Sequence, residues 1–323
     1  MKITRKKSEK IQILRGGAIV AVILIHNTPL GISQVLCRPF LNFAVGLFLF
    51  LSGFLTEYEK INLCKRIKKV LIPYIIWTGI YAILFNSQSP ERIPVQFIKN
   101  MIAGNGAAVM YYIWVYCELT ILIPLIDKLS NSKWKHVAFA ISPIEIILVH
   151  TFPSIMGLQL NKYLTLIIGL SCIGWFDYFY LGYLLRNDKL IMNIKRDTLI
   201  PLYFTSIVLQ IIEGYYYFSI GLTNCGTQMK LSSVFTGLIV AVIAYEFILK
   251  SDGFKCNLLK LIGDNSFGIF FSHLAIMHLL QLTPMHHLLD VYPINGCFVL
   301  AIALALSIAI HRLFGKYSIC FGC

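Results

Sequence analysis

The sequence predicts an all-α, polytopic integral membrane protein with about ten transmembrane helices and both termini in the cytoplasm. Three observations carry this. The mean hydropathy is +0.73, with 57% hydrophobic and only 13% charged residues, more apolar surface than a water-soluble core needs. Long runs almost free of charge recur from one end of the 323 residues to the other, without the alternation of a membrane β-barrel. The basic residues, finally, sort by side once the runs are taken as spans.

The spans follow in order. The first, 12–30, comes after a basic head, MKITRKKSEK. No small-residue cleavage site follows that head, so it reads as a retained span rather than a removed signal peptide. It holds Arg15 and His26, eleven residues apart. On an α-helix that is almost three turns, so both lie near one face, about 16 Å apart along the axis. An ionisable side chain inside a span marks a candidate site. The second span, 40–56, contains FLFLSGFL, whose Ser52 and Gly53 permit close helix approach. The third, 70–86, is entered through KRIKKVLIPYIIW. Lys65, Arg66, Lys68 and Lys69 there serve either as a positive-inside anchor or as a dock for an anionic cytoplasmic cofactor. The stretch 86–106, with SQSPERIP and GNG, reads as a surface loop.

The fourth span, 107–126, carries YYIWVYCEL. Its Tyr111, Tyr112 and Trp114 suit an aromatic interfacial belt or a sugar-binding platform, and Trp114 shares a helix face with Glu118. The fifth, 137–151, is short enough to be partly re-entrant; it bears Glu145, with His150 near its outer end. Asp177, Glu213 and Glu246 lie in the sixth, seventh and eighth spans (163–185, 198–217, 231–249). With Glu145 they read as hydrogen-bonding glue between helices. The ninth, 262–282, contains SFGIFFSH and His273; the tenth, 294–311, ends at His311.

With the N-terminus inside, 23 of the 28 Lys and Arg fall on the cytoplasmic side, leaving Arg38, Arg92, Lys99, Lys162 and Lys230 outside. The net charge of +13 therefore sets topology, and a nucleic-acid partner is not expected. The nine cysteines are scattered as small hydrophobes. Cys320 and Cys323 lack nearby partners for a metal, and none is expected. The loops are short, so residues 1–323 read as one transmembrane domain with no separate soluble part. No internal repeat is visible, which weakens an inverted-repeat transporter.

His26 and His273 are the histidines well inside spans, both from mid-membrane towards the outer half. If their helices pack together, two imidazoles line one cavity. Histidine titrates near neutrality and can pass a proton, so catalysis or proton relay stands beside a structural role.

In order, spacing and sidedness these segments resemble the bacterial acyltransferase-3 family, the multispan membrane acyltransferases that decorate cell-surface polysaccharides. The family's Arg, ten residues, His pattern is matched by Arg15 and His26. Its Phe-rich Ser-Gly segment is matched by FLFLSGFL, its basic cluster and proline by KRIKKVLIPYIIW, and its Trp-containing fourth span by WVYCELTILIPLI. Its late Ser-Tyr-Gly-Ile-Tyr-x-x-His pattern is matched by SFGIFFSH. Phe267 and Phe270 stand where tyrosines are common, and the basic cluster is richer in lysine than usual, so point charges partly replace a bidentate guanidinium grip.

The resemblance implies transfer of an acyl group, acetyl by default, from cytoplasmic acyl-CoA to a hydroxyl of a glycan or lipid-linked glycan. It implies a bacterial cytoplasmic (inner) membrane and no metal. His26 would be the base or a transient acyl carrier. Arg15, with Lys65, Arg66, Lys68 and Lys69, would hold acetyl-CoA. His273 and Glu118 would orient groups or stabilise charge. Tyr112, Trp114 and Ser52 would contact the acceptor. A transporter or flippase for a sugar or lipid-linked glycan, using the same cavity without covalent chemistry, is the competing expectation. A membrane scaffold would need no Arg15–His26 stripe.

Overall fold

A computed structural model describes residues 4–158, 161–192, 194–223, 225–251, 253–284 and 291–323. Lys2 of the basic head and the side chain of Lys162 lie outside the described residues. Among the described residues every regular element is helical. In chain order the α-helices are α1 Arg5–Asn27, α2 Ile32–Cys37, α3 Phe43–Phe54, α4 Leu63–Phe85, α5 Ile93–Ala103, α6 Tyr111–Ile121, α7 Ile123–Ser130 and α8 Ile141–Glu145. There follow α9 Phe152–Ile155, α10 Lys162–Leu170, α11 Phe176–Arg186, α12 Arg196–Ser219, α13 Leu231–Ile243, α14 Asn257–Asp264, α15 Ser266–Gln281 and α16 Ile294–Phe314.

Among the described residues, seven helical stretches are long and apolar enough to cross a membrane: Ile32–Phe54, Leu63–Phe85, Val137–Ile155, Tyr163–Arg186, Arg196–Ser219, Leu231–Leu249 and Ile294–Phe321. The other expected spans take different forms. The first is α1, 23 residues, with Arg5, Lys6, Lys7, Lys10 and Arg15 in its N-terminal half. The fourth is divided into α6 and α7, the second of which begins with a proline in its first turn. The ninth is α15, 16 residues long.

The chain is arranged as two compact units. The first comprises Met1–Ile61, Leu122–Asn161 and Cys172–Gly263. Glycines set its closest helix crossings. A Cβ on Gly53 of α3 would stand 2.0 Å from the Phe179 carbonyl oxygen of α11, and one on Gly182 of α11 would stand 2.1 Å from that of Phe50. The backbones of α3 and α11 thus touch, as the small residues of FLFLSGFL suggest. The same reciprocal contact joins α1 to α14, where a Cβ on Gly16 would meet the Leu259 oxygen at 2.0 Å and one on Gly263 that of Gln12 at 1.8 Å. The crossing lies beside Arg15 and fixes that stretch of α1.

Buried amides and hydroxyls tie this unit together at one end. Asn42 donates to Gln210 Oε1 at 3.0 Å and Ser233 donates to the same oxygen at 2.9 Å. Lys230, fully buried, donates to the carbonyls of Gln210 and Cys225 at 3.3 and 3.1 Å. Glu213 accepts from the amide and hydroxyl of Ser232, and Glu246 pairs with Lys250 at 2.8 Å. Glu213 therefore acts as the glue between helices expected of it, joining α12 to α13, whereas the Glu246 bond stays local, four residues along its own helical stretch. At the end of α7, Asp127 accepts from Lys189 at 2.6 Å and from the Tyr183 hydroxyl at 2.5 Å. Burial alone would push its carboxyl up; the hydrogen bonds from Lys189 and Tyr183 outweigh that and hold it below the ordinary aspartate value.

The second unit comprises Asn62–Ile121, Lys162–Ser171 and Asp264–Cys323. The expected surface loop at 86–106 is a correction: after a 3₁₀ turn at Pro90–Arg92 it forms α5. Pro94 sits in the first turn, where its missing N–H costs nothing, and Gly104 ends the helix at φ +61°. The turn residues at its edges masked the helical run IPVQFIKNMIA between them. Tyr74 of α4 anchors α5 by donating to the Met101 carbonyl at 2.6 Å, and Trp114 of α6 donates to the Tyr74 hydroxyl at 3.1 Å. Trp77 of α4 stacks on Phe271 of α15 with ring centroids 6.3 Å apart and donates to the Phe321 carbonyl at 3.1 Å.

Candidate active site

The expected site residues divide between the units. Arg15, His26 and Ser52 belong to the first; Lys65, Arg66, Lys68, Lys69, Tyr112, Trp114, Glu118 and His273 belong to the second.

In the first unit, α1 runs unbroken from Arg5 to Asn27, so Arg15 and His26 do share one helix and nearly one face, about 16 Å apart along its axis. Both are half-buried. Arg15 donates to Gln12 Oε1 at 3.4 Å. His26 occupies the last turn, whose carbonyls have no partners within the helix. Side chains close that end. Asn27 donates to the Ile23 oxygen at 2.8 Å, Thr28 to that of Leu24 at 2.8 Å, and Arg38 to that of Ile25 at 3.3 Å. The backbone carrying His26 is thus pinned from both sides. Arg38 was not singled out in sequence, because a lone cation carries no local signal. Ser52 donates to the Phe48 carbonyl at 2.9 Å, next to the Gly53 crossing, a packing position in α3.

In the second unit the basic cluster opens α4. Asn62 caps that helix by accepting from the Lys65 amide at 2.9 Å. Lys65, Lys68 and Lys69 are exposed and Arg66 is half-buried. Cations in a first turn oppose the helix dipole, so this end pays in helix stability for a concentrated positive field. A phosphate-bearing molecule suits such an end. Arg66 is held in place: its Nε donates to the Tyr116 hydroxyl at 2.6 Å and its guanidinium lies 5.2 Å from that ring. From there α6 leads to α15, since Tyr112 packs 6.3 Å from Tyr116 and 5.4 Å from Phe270. Tyr112 therefore meets a phenylalanine of the SFGIFFSH segment. Trp114, engaged with Tyr74 and packed over Gly104, is part of the α5 anchor. Glu118 is half-buried, one turn beyond Trp114.

His273 is fully buried on α15, with Nδ1 3.0 Å from the Ile269 carbonyl oxygen. A carbonyl only accepts, so Nδ1 carries a proton towards it. Around it, Tyr81 of α4 donates to the Phe271 carbonyl at 2.7 Å and accepts from the Ala275 amide at 3.1 Å. Tyr81 is a second residue that was not singled out. The signal was the spacing of Trp77, Tyr81 and Phe85, an aromatic stripe aimed at one neighbouring helix.

Residues 9–312 match the sequence model of a family described as "Acyltransferase domain". The chain belongs to the acyltransferase-3 family. Its α-helical build and apolar spans are those of a multi-pass membrane protein, and membership makes it a membrane acyltransferase by family. Relatives of this acyltransferase-3 chain occur in Staphylococcus aureus strains MSSA476 and MRSA252. Each is 25% identical over 277 residues, covering 80% of this chain and 77% of the relative, and each is named "Probable poly-beta-1,6-N-acetyl-D-glucosamine export protein". No solved structure matches the chain. Among the described residues, no group of three or more His, Cys, Asp or Glu could hold a metal ion.

Proposed function

We propose that this acyltransferase-3 protein moves an acyl group, acetyl by default, from cytoplasmic acyl-CoA to a hydroxyl of a cell-surface polysaccharide or its lipid-linked precursor. The single observation that carries the reading is the unbroken α1, which holds Arg15 and His26 on one stripe and pins the His26 end by three side-chain caps. The chain crosses the bacterial inner membrane about ten times with both termini inside, and 1–323 is a single transmembrane acyltransferase domain without a separate soluble part.

In this reading Arg15 in the first unit, and in the second the exposed cations at the start of α4, each act on the acyl-CoA donor, the cations by attracting its phosphates. His26 takes the proton of the acceptor hydroxyl as its oxygen attacks the thioester carbonyl. The carbon–sulfur bond then breaks, and the CoA thiolate leaves and takes up the proton. The alternative of a transient acyl-imidazole at His26 needs the same positions. His273 and Glu118 assist by orienting groups in the second unit. Tyr112, Trp114 and Ser52 contribute to the acceptor side by packing.

Incubating the purified protein with radiolabelled acetyl-CoA and a lipid-linked glycan fraction tests this. Wild type is expected to label the glycan and His26→Ala to lose at least about a hundredfold in rate, the lower range of general-base catalysis. Labelling by His26→Ala at the wild-type rate removes the assignment.

Export of a glycan is the second reading, favoured by the name of the staphylococcal relatives. It predicts glycan movement without any dependence on acyl-CoA, which the same preparation in sealed vesicles measures.

A further inference from the structure

The second unit contains a groove that the acyl-transfer reading does not use. It has two lobes, of about 680 and 830 Å³. Gln96, Asn100 and Asn105, with Ala107 and Ala108, line both, so they form a shared floor between the lobes. The first lobe is completed by Phe85 and Asn86 at the end of α4 and by Met277, His278 and Gln281 on α15. The second is completed by Lys99, Tyr111, Tyr163 and Thr165.

The helix that supplies Gln96 and Asn100 to this floor, α5, turns its apolar face outward. On α5 the apolar residues Val95, Ile98 and Ile102 are 55%, 52% and 63% exposed, while Asn100 is 4% exposed. Gln96 and Asn100, one turn apart, face inward, with Gln96 donating to Asn100 Oδ1 at 2.8 Å. An apolar outer face suits the membrane interface, and it leaves the polar face to line a cavity.

The lining chemistry narrows the occupant. Among the described residues, no carboxylate lines either lobe, and Lys99 is the only lysine or arginine. A polycation would find no counter-charge there, and a polyanion would find one. Amide side chains donate and accept at once, which matches hydroxyls and N-acetyl groups. Phe85 in the first lobe, set edge-on to His278 at 4.8 Å, and Tyr111 and Tyr163 in the second offer ring faces for the apolar side of a sugar. Each lobe alone has the volume of a small-molecule pocket, roughly 300–1,000 Å³, so filling both calls for an extended ligand. The first lobe shares α15 with His273, which lies one turn deeper on that helix than Met277.

We propose that this groove seats a linear, uncharged glycan with at least one sugar unit in each lobe, the reacting unit lying in the first. The proposal deepens the acyl-acceptor reading and rests on it for the word "reacting"; binding itself does not.

The test is titration of the purified, full-length protein in nanodiscs with N-acetylhexosamine oligomers of one and four units, without acyl-CoA. The tetramer is expected to bind about tenfold or more tighter than the monomer, the scale of a few added net contacts. Gln281→Ala, in the first lobe, is expected to weaken both ligands about fivefold, the loss of one net hydrogen bond. Tyr163→Ala, in the second, is expected to weaken the tetramer about fivefold and leave the monomer unchanged. Both side chains are exposed, so neither substitution threatens folding. Equal affinity for monomer and tetramer, tetramer binding by Tyr163→Ala at wild-type strength, or tighter binding of a uronic-acid tetramer overturns the groove assignment, even where acetyl transfer to glycan is retained. Length-dependent binding by a protein that shows no acyl transfer supports the groove and removes the acyl-transfer reading instead.

Discussion

The Tyr81 hydroxyl stands in the backbone ladder of α15, accepting from the Ala275 amide at 3.1 Å and donating to the Phe271 carbonyl at 2.7 Å. In an uninterrupted α-helix those two groups, four residues apart, bond each other. The Tyr81 hydroxyl thus bridges these two groups from α4, and His273 lies midway between them. Tyr81→Phe removes the oxygen and with it both bonds that fix α4 to α15 on either side of His273. The expected result is a fall in kcat of about tenfold from a shifted His273, with the KM for acyl-CoA unchanged. Steady-state kinetics check this; an unaltered kcat excludes Tyr81 as a positioning residue.

Arg15 is expected to act on the donor. Arg15→Ala should raise the KM for acyl-CoA about tenfold, as for one lost charge-assisted contact, while acceptor KM stays near wild type. Equal effects on both substrates would refute the assignment.

The exposed cations of α4 should act through long-range attraction. Replacing Lys65, Lys68 and Lys69 together by Gln should raise the KM for acyl-CoA at low salt and flatten its salt dependence, since exposed charges are screened over about 10 Å at 0.1 M. A wild-type salt profile in the triple variant would show that these lysines only orient the chain.

Adjacent glycines of α1 should behave oppositely. A Cβ on Gly16 would stand 2.0 Å from the Leu259 oxygen, whereas nothing lies within 4 Å of one on Gly17. Gly16→Ala is expected to cost about 1–3 kcal/mol by forcing α1 from α14, lowering Tm in detergent. Gly17→Ala is expected to gain about 0.5–1 kcal/mol from better helix propensity. Thermal melts of the two variants decide it; equal shifts would contradict the crossing.

Asp127 should give stability its acid limb. Its carboxyl is held below the ordinary aspartate value, so its stabilisation is complete above the unfolded value near pH 4 and lost as pH falls through the lower folded value. Wild type should therefore melt above Asp127→Asn at neutral pH, with the gap closing only below about pH 4. A gap that persists unchanged into strong acid would show that the Asp127 charge is not involved.

Much of this was legible in the residues themselves. Hydropathy and charge along the chain marked an all-helical membrane protein, because each span must satisfy its own backbone and declares itself locally. The spacing of Arg15 and His26 on one face needed only an unbroken helix, and α1 is one. The segment 86–106 misled because Pro and Gly stand at its edges, where the same residues start and stop a helix as readily as they make a loop. α5 also hides by being inverted, its apolar face outward.

What the sequence determined by itself was therefore one-dimensional: which runs are helices, which ends are basic, and which face of α1 carries a cation and an imidazole. Only the tertiary structure decided that Gly16 and Gly53 are helix crossings, that Arg38 caps the His26 end, that Tyr81 enters the ladder of α15, and that α5 turns its amides inward. Each depends on a partner far away in sequence. The energy of a backbone contact or of a satisfied carbonyl belongs to the pair, and neither residue announces it alone.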